Sequence, residues 1–415
     1  RLKTRLSTLF TGYGYDYSYQ VLNNDQMAPN KLGWKESSIQ EQHAHLTTDY
    51  QTHKQHQLSL GYQLIHYDVD FTIAKNQLDD RSGERDFRSN LHILYASFKS
   101  NPAKRLGTEL GLRFNHFRQI NQQYLEPRFR LWYQLTDDLN TCLSGGKYYQ
   151  YLSQLIQLKG DHASIETPVW GLAGSENVPV LDANHLQWGI IFRPNTWLVD
   201  VQAYLKTVEG LSSLASDFDE SFSNRFHIGS ANIQGLSLLV KKRWKNYKSW
   251  LSYSWTNIDH EFPSFFDEEF TASIEQRHRL RWAHLFTYRA FEFSLGWNIS
   301  SGRPYSDRSN FRVQLAPGGM GGPNEIVVPL EDEFNSLRLP AEHQLDASIV
   351  YNIQSTSPKG MTGTVGLSLF NIYHQRNIYN RELFIDNRLN LPSGLGYNNK
   401  VNMGFTPGFL LRLNW

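Results

Sequence analysis

The strongest constraint on this chain is a strict two-residue alternation of apolar and polar side chains that recurs from one end to the other. Between Arg105 and Gln119 the even positions carry Leu106, Leu110, Leu112 and Phe114, while the odd ones carry Glu109, Gly111, Arg113 and Asn115. The next segment places Leu125, Phe129, Leu131, Tyr133 and Leu135 on one face and Glu126, Arg128, Arg130 and Gln134 on the other. Successive side chains of a β-strand point to opposite faces, so each such segment is a strand with one apolar and one wet face. Leu186, Trp188, Ile190 and Phe192, then Trp197, Val199, Val201, Ala203 and Leu205, form a hairpin closed by Pro194 and Asn195.

Further copies run through Leu58 to Leu64, Leu251 to Trp255, Phe291 to Ile299, Leu345 to Tyr351 and Val365 to Leu369. With weaker segments near Arg5, Gln40, Leu91, Leu143, Gly235 and Leu280 the total is about 16 strands, many reaching the nine to eleven residues that cross a bilayer at a tilt. An even number is what bacterial barrels require.

Connections alternate in length. Short turns are expected at 51–55, 100–104, 136–139, 193–196, 244–246 and 288–290, with a slightly longer one at 354–361. Long polar segments fall between them at 13–35, 68–87, 151–184, 209–228, 259–275, 303–340 and 374–399. In an outer-membrane barrel the short set faces the periplasm and the long set the outside, which puts both chain ends in the periplasm; the short connection at 118–123 departs from the rule. A soluble β-sandwich would bury aliphatic side chains. Here Trp and Tyr recur on the apolar face, aromatics reach 14% and mean hydropathy is −0.52, as expected when half of every strand faces lipid and half faces water. The expected fold is all-β, a transmembrane antiparallel barrel.

No stretch approaches the eighteen apolar residues of a membrane helix. A formal net charge of +1, without a long Lys/Arg block, argues against a nucleic-acid partner. The single Cys142 forms no internal disulfide and reads as an ordinary strand residue. The first residue is Arg1, with no signal-peptide pattern after it, so sequence upstream is expected.

The last segment alternates Val401, Met403, Phe405, Phe409, Leu411, Leu413 and Trp415, and resembles the C-terminal strand of outer-membrane proteins. In that resemblance the terminal aromatic, Trp415, signals to the barrel assembly machinery. Other stretches are similar to the last third of TonB-dependent receptors: Gly302, Arg303 and Pro304 opening a long loop; Pro340, His343, Leu345 and Asp346 on the next strand; then Phe370, Asn371, Tyr373, Asn377 and Tyr379. A segment at 147–190 resembles a long loop of compact receptors. The resemblance implies a barrel of 22 strands gated by an N-terminal plug that TonB pulls. About 16 strands and no plug are found in 1–415, so the plug and first strands are expected upstream. It further implies outer-membrane lipid as surroundings, the TonB complex as partner through that plug, and import of a siderophore, haem, cobalamin or oligosaccharide. A passive 16-stranded porin and a surface-binding barrel without transport are the alternatives.

Candidate chemistry is sparse. One face of the strand 39–50 carries Glu41, His43, His45, Thr47 and Asp49; alternate histidines can share a metal, but no third ligand is placed and a polar lumen wall explains the pattern. Acidic clusters at Asp217, Asp219 and Glu220, at Asp267 to Glu269 and at Glu331 to Glu333 lack the spacing of a calcium loop. The glycine-rich run 316–324 lacks the Lys-Ser/Thr of a phosphate loop, and no nucleophile elbow or zinc helix occurs. Neither catalysis nor a cofactor is expected. Ligand contacts belong on long loops and the upper wall, where aromatics stack and Arg grips anions; Trp170, Arg225, Arg303 and Tyr305 are the candidates, each equally suited to anchoring a loop.

Overall fold

The structure, a computed structural model, describes residues 2–21, 31–53, 55–74, 83–157, 170–174, 177–214, 226–264, 266–306, 311–316, 324–329, 334–353, 362–385 and 395–414. Among these, every regular element is a strand. The first seven are β1 (Leu2–Val21), β2 (Lys31–His53), β3 (His56–Ala74), β4 (Gly83–Ala103), β5 (Leu106–Phe117), β6 (Gln122–Gln134) and β7 (Leu139–Gln150). Further long strands are Leu181–Phe192, Trp197–Leu214, Phe226–Trp244, Tyr247–Phe262, His278–Tyr288, Phe291–Ser300, Glu342–Ile353, Thr362–Phe370 and Thr406–Asn414. These sixteen agree with the number read from alternation. Two compact units form: Arg1–Trp188 with Tyr204–Asn232 and His260–Glu269, and Gly189–Ala203 with Ile233–Asp259 and Phe270–Trp415.

In the first unit β1 to β7 pair antiparallel in sequence order. The alternation resolves into two faces: Leu94 is 56% exposed while its neighbour Ile93 is 0%. Leu60, Tyr62, Leu94, Leu110, Leu112, Phe114 and Leu125 share the exposed face, the lipid side of a barrel.

The hairpins β1–β2 and β3–β4 are longer than expected. Residues 13–21, 31–35, 68–74 and 83–87, assigned to loops above, are strand. At about 3.3 Å per residue, the 23 residues of β2 far exceed the roughly 30 Å hydrocarbon core even when tilted. The alternation of Tyr13, Tyr15, Tyr17 and Tyr19 is the overlooked strand signal.

Turns behave as expected at one end. Asn195, Lys245 and Arg289 take positive φ in the short turns after Phe192, Trp244 and Tyr288, and Asn121 does so in the tight β5–β6 connection at the opposite end of its hairpin. The other end is more structured than a set of polar loops: Leu152–Gln154 pairs with Trp170–Leu172, Pro304–Tyr305 with Leu337–Arg338, Phe311–Ala316 with Asn324–Pro329, and Ile378–Ile385 with Leu395–Val401. The segment 401–415, expected as one strand, is two pieces. Val401 ends the strand paired to Ile378–Ile385, and Thr406–Asn414 pairs with Thr362–Phe370.

The core of the first unit lies on the inner face. Ile39, Ile65, Val69, Leu91, Ile93 and Phe117 are buried there beneath Tyr151, Leu172 and Ala173. The chain after β7 therefore folds back as a strap over the inner wall, with the Phe117 and Tyr151 rings 4.8 Å apart. Burying one such side chain stabilises by about 1.5–3 kcal/mol, which explains why this connection does not remain a solvated loop.

Candidate functional site

Moving along the inner wall from the short-turn end, Asp49, Gln57 and Ser59 form a small hydrogen-bonded set, with Ser59 Oγ donating to Asp49 at 2.6 Å. Next comes a charged belt. Folding the hairpin about 118–121 sets Arg113 opposite Glu126. Glu126 is 2% exposed and accepts from Asn115 Nδ2 (2.8 Å), from the Tyr149 amide (3.1 Å) and from Arg128 Nη2, with Arg113 Nε at 3.9 Å. A carboxylate so buried is tolerable because each lone pair meets a donor. Arg113, Arg128 and Arg130 then line, with His45, Tyr95, Glu109 and Tyr148, a recess of about 460 Å³.

Beyond the belt the wall turns apolar and the strap closes over it. A cleft of about 420 Å³ lies there, lined by Ile39, Glu41, Ile65, Tyr67, Leu91, Arg113, Tyr149, Gln150, Tyr151, Leu152 and Trp170. Glu41, Arg113 and Gln150 line it beside the apolar and aromatic side chains. The Tyr151 hydroxyl and Trp170 Nε1 are both buried with no hydrogen-bond partner among the described residues. Burial, reinforced by the Glu126 carboxylate, raises the Tyr151 hydroxyl above its usual range, so it remains a donor. Unpaired buried donors of this kind are costly.

Of the ligand candidates, Trp170 lies in this cleft. Arg303 and Tyr305 belong to the second unit, where Tyr305 Oη accepts from Arg381 Nη1 at 2.9 Å beneath the same guanidinium, and Arg303 Oaccepts from the Leu339 amide at 2.9 Å. Arg225 lies outside the described residues, as do Trp415, Asp217 to Glu220 and Glu331 to Glu333. Asp267, Glu268 and Glu269 are exposed on the strand Phe266–Thr271. His43 and His45 do not converge on one point. His43 Nε2 meets Glu41 at 3.0 Å, His45 Nε2 meets Tyr95 Oη and Thr47 Oγ1 at 2.9 Å, and no described group of three His, Cys, Asp or Glu side chains is arranged for a metal. Tyr151, Arg113 and Glu126 were not among the candidates; the signal for Arg113 and Glu126 was the inward parity of β5 and β6 combined with the register of a four-residue turn, while Tyr151, after β7, had none.

In the second unit the receptor-like motif residues hold the backbone. Asn371, 1% exposed at φ 52°, donates through Nδ2 to Gln375 O (2.7 Å) and Met403 O (3.0 Å), while its amide donates to Asp346 (2.8 Å). Asn377 bonds both the amide and the carbonyl of His343. Buried Glu275 accepts from the Ile258 amide (2.8 Å), Arg277 Nε (3.1 Å) and Arg338 Nη2, and Arg338 reaches Gly302 O. These residues close the necks of long loops.

A protein-family model for the TonB-dependent receptor-like β-barrel matches residues 2–372. The chain belongs to that family. Membership places it in the bacterial outer membrane. Solved receptors share the fold: the ferric yersiniabactin uptake receptor FyuA from Yersinia pestis (TM-score 0.63, 12% identity, 99% of this chain and 58% of that one), the ferric-catecholate import receptor Fiu from Escherichia coli K12 (0.63, 11%, 99% and 61%) and the ferric preacinetobactin receptor BauA from Acinetobacter baumannii (0.59, 12%, 99% and 60%). The chain thus spans about three fifths of these TonB-dependent receptors. Among curated proteins none matches its sequence.

Proposed function

We propose that this chain is the greater part of the barrel of a TonB-driven importer, with its long connections outside the cell and both ends in the periplasm. The plug and remaining strands come from sequence beyond these 415 residues, as the share of the related receptors it spans suggests. Its cargo is a scarce solute such as a siderophore, haem, cobalamin or an oligosaccharide. The observation that carries the ligand-binding part is the cleft beneath the strap, where two buried donors lie unpaired among the described residues on a wall of apolar and aromatic side chains with Glu41, Arg113 and Gln150 among them. Such a site suits a compact ligand with oxygen acceptors on an apolar body. Sixteen long strands favour a second reading, a closed passive porin, since that number encloses a water-filled lumen.

Tyr151→Phe and Trp170→Phe test the site cleanly. Among the described residues neither donor has a partner, so Tyr151→Phe breaks no bond of the fold and Trp170→Phe adds only the packing cost of a smaller ring, whereas a lost hydrogen bond to ligand weakens binding about fivefold in each. Purified full-length receptor is titrated with ferric siderophores, haem, cobalamin and oligosaccharides. One class is expected to bind, and more weakly to each variant; equal affinities in both variants refute the site.

A further inference from the structure

The exposed apolar face carries a repeated pair that neither transport nor the family motifs use. In the first unit Tyr62 Oη lies 2.8 Å from His92 Nδ1. In the second, Tyr253 Oη lies 2.9 Å from His278 Nδ1 and Tyr373 Oη lies 2.9 Å from His343 Nδ1. The tyrosine always comes from a different segment than the histidine, and the rings lie 5.4–6.3 Å apart.

Each histidine occupies the same place in its strand. His92 precedes Leu94, Ala96 and Phe98; His278 precedes Leu280 and Trp282; His343 precedes Leu345, Ala347 and Ile349. In the second unit the register sets His278 opposite Trp255 and His343 opposite Ile299, both within two residues of the long-loop edge of the apolar alternation. A lipid-facing strand passes there from hydrocarbon to headgroups.

Hydrogen bonding fixes the chemistry that these rings present. Trp297 Nε1 donates to the Tyr373 oxygen at 3.2 Å, which turns the tyrosine proton toward His343 Nδ1. With Nδ1 accepting, the neutral His343 ring carries its proton on Nε2, and a charged ring carries one there as well; the same arrangement is assigned to His92 and His278 by likeness of their tyrosine pairing. No described residue takes Nε2 of His92, His278 or His343.

We propose that His92, His278 and His343 are lipid-headgroup contacts, each presenting an Nε2–H to a phosphoryl oxygen of the lipid in the leaflet at the long-loop end. Phosphoryl groups accept strong hydrogen bonds, and an interfacial imidazole held by a tyrosine loses little freedom on meeting one. Because the leaflet assigned rests on the orientation proposed above, labelling of E268C, an exposed position of the long connection 259–275, on intact cells in a C142S background reports that orientation separately.

The test uses the full-length protein in detergent and native mass spectrometry, with a bisphosphorylated glucosamine-disaccharide lipid and the same lipid without phosphates. Wild type is expected to retain the phosphorylated lipid about fivefold better, the equivalent of one solvent-competed bond to a charged oxygen. The triple variant His92→Phe, His278→Phe, His343→Phe is expected to retain both equally. Equal retention by wild type, or a preference surviving in the triple variant, overturns the proposal, as does displacement of the lipid by millimolar inorganic phosphate. If that variant does not fold, His92→Phe, His278→Phe and His343→Phe are read singly; a preference undiminished in all three is equally fatal.

Discussion

Gly302→Ala is expected to prevent the second unit from folding correctly, although it adds one methyl group. An ideal Cβ at residue 302 would lie 1.7 Å from Leu339 O and 2.4 Å from Leu339 C. Both are backbone atoms, so no side chain can swing aside. The strands Pro304–Tyr305 and Leu337–Arg338 close the neck at this point, tied by the Leu339 amide to Arg303 O and by Arg338 to Gly302 O. Separating them also withdraws Arg338 from buried Glu275. The combined penalty should exceed about 4 kcal/mol, the range reserved for substitutions that break a buried network or overpack backbone. Heat-modifiable mobility on gels, the usual signature of a folded barrel, should be lost or shifted to much lower temperature. A variant that unfolds at the wild-type temperature contradicts this account of the neck.

Glu126→Ala should have the second-largest effect, here in the first unit. The carboxylate is the common acceptor for Asn115, the Tyr149 amide and Arg128, and removing it leaves Asn115 and Arg128 without their anion. Leaving buried Asn115 and the Tyr149 amide without their acceptor costs about 1–3 kcal/mol, while Arg128, 38% exposed, is free to rehydrate. Since Tyr149 leads directly into the strap, the loss should also loosen the Tyr151–Phe117 contact and open the cleft to protease. Glu126→Gln, which keeps an acceptor oxygen, should suffer less. Guanidinium unfolding of the two variants in detergent gives the ranking; a cost below about 1 kcal/mol for the alanine variant would show that the belt is not structural.

Much of this was legible in the chain. Alternation gave the strands Leu106–Phe117, Gln122–Gln134 and Phe291–Ser300 almost to the residue, and turn residues such as Pro194 and Asn195 located the tight connections. Periodicity reports two faces but not what covers the inner one, so the packing of Tyr151 and Leu172 on Ile65, Val69 and Ile93 was invisible. Polar tyrosines at 13–19 looked like loop because strand length was limited to a membrane crossing, whereas the hairpin continues beyond it. The alternation through 401–415 concealed a break for a different reason. Asn371 takes Met403 O and His374 Nδ1 accepts from the Phe405 amide, so tertiary bonds fix residues 402–405 outside either ladder. Glu126 and Arg113 were visible as inward charges, but only their register reveals a network.

The central claim is energised import, and uptake in cells tests it most directly. A strain carrying the complete gene and a deletion strain are supplied in turn with labelled ferric siderophores, haem, cobalamin and oligosaccharides, with and without an uncoupler of the inner-membrane proton gradient and in a background lacking TonB. The account predicts that one solute class accumulates only when the gene, the gradient and TonB are all present. Accumulation that persists without the gradient or without TonB would identify a passive pore and contradict it.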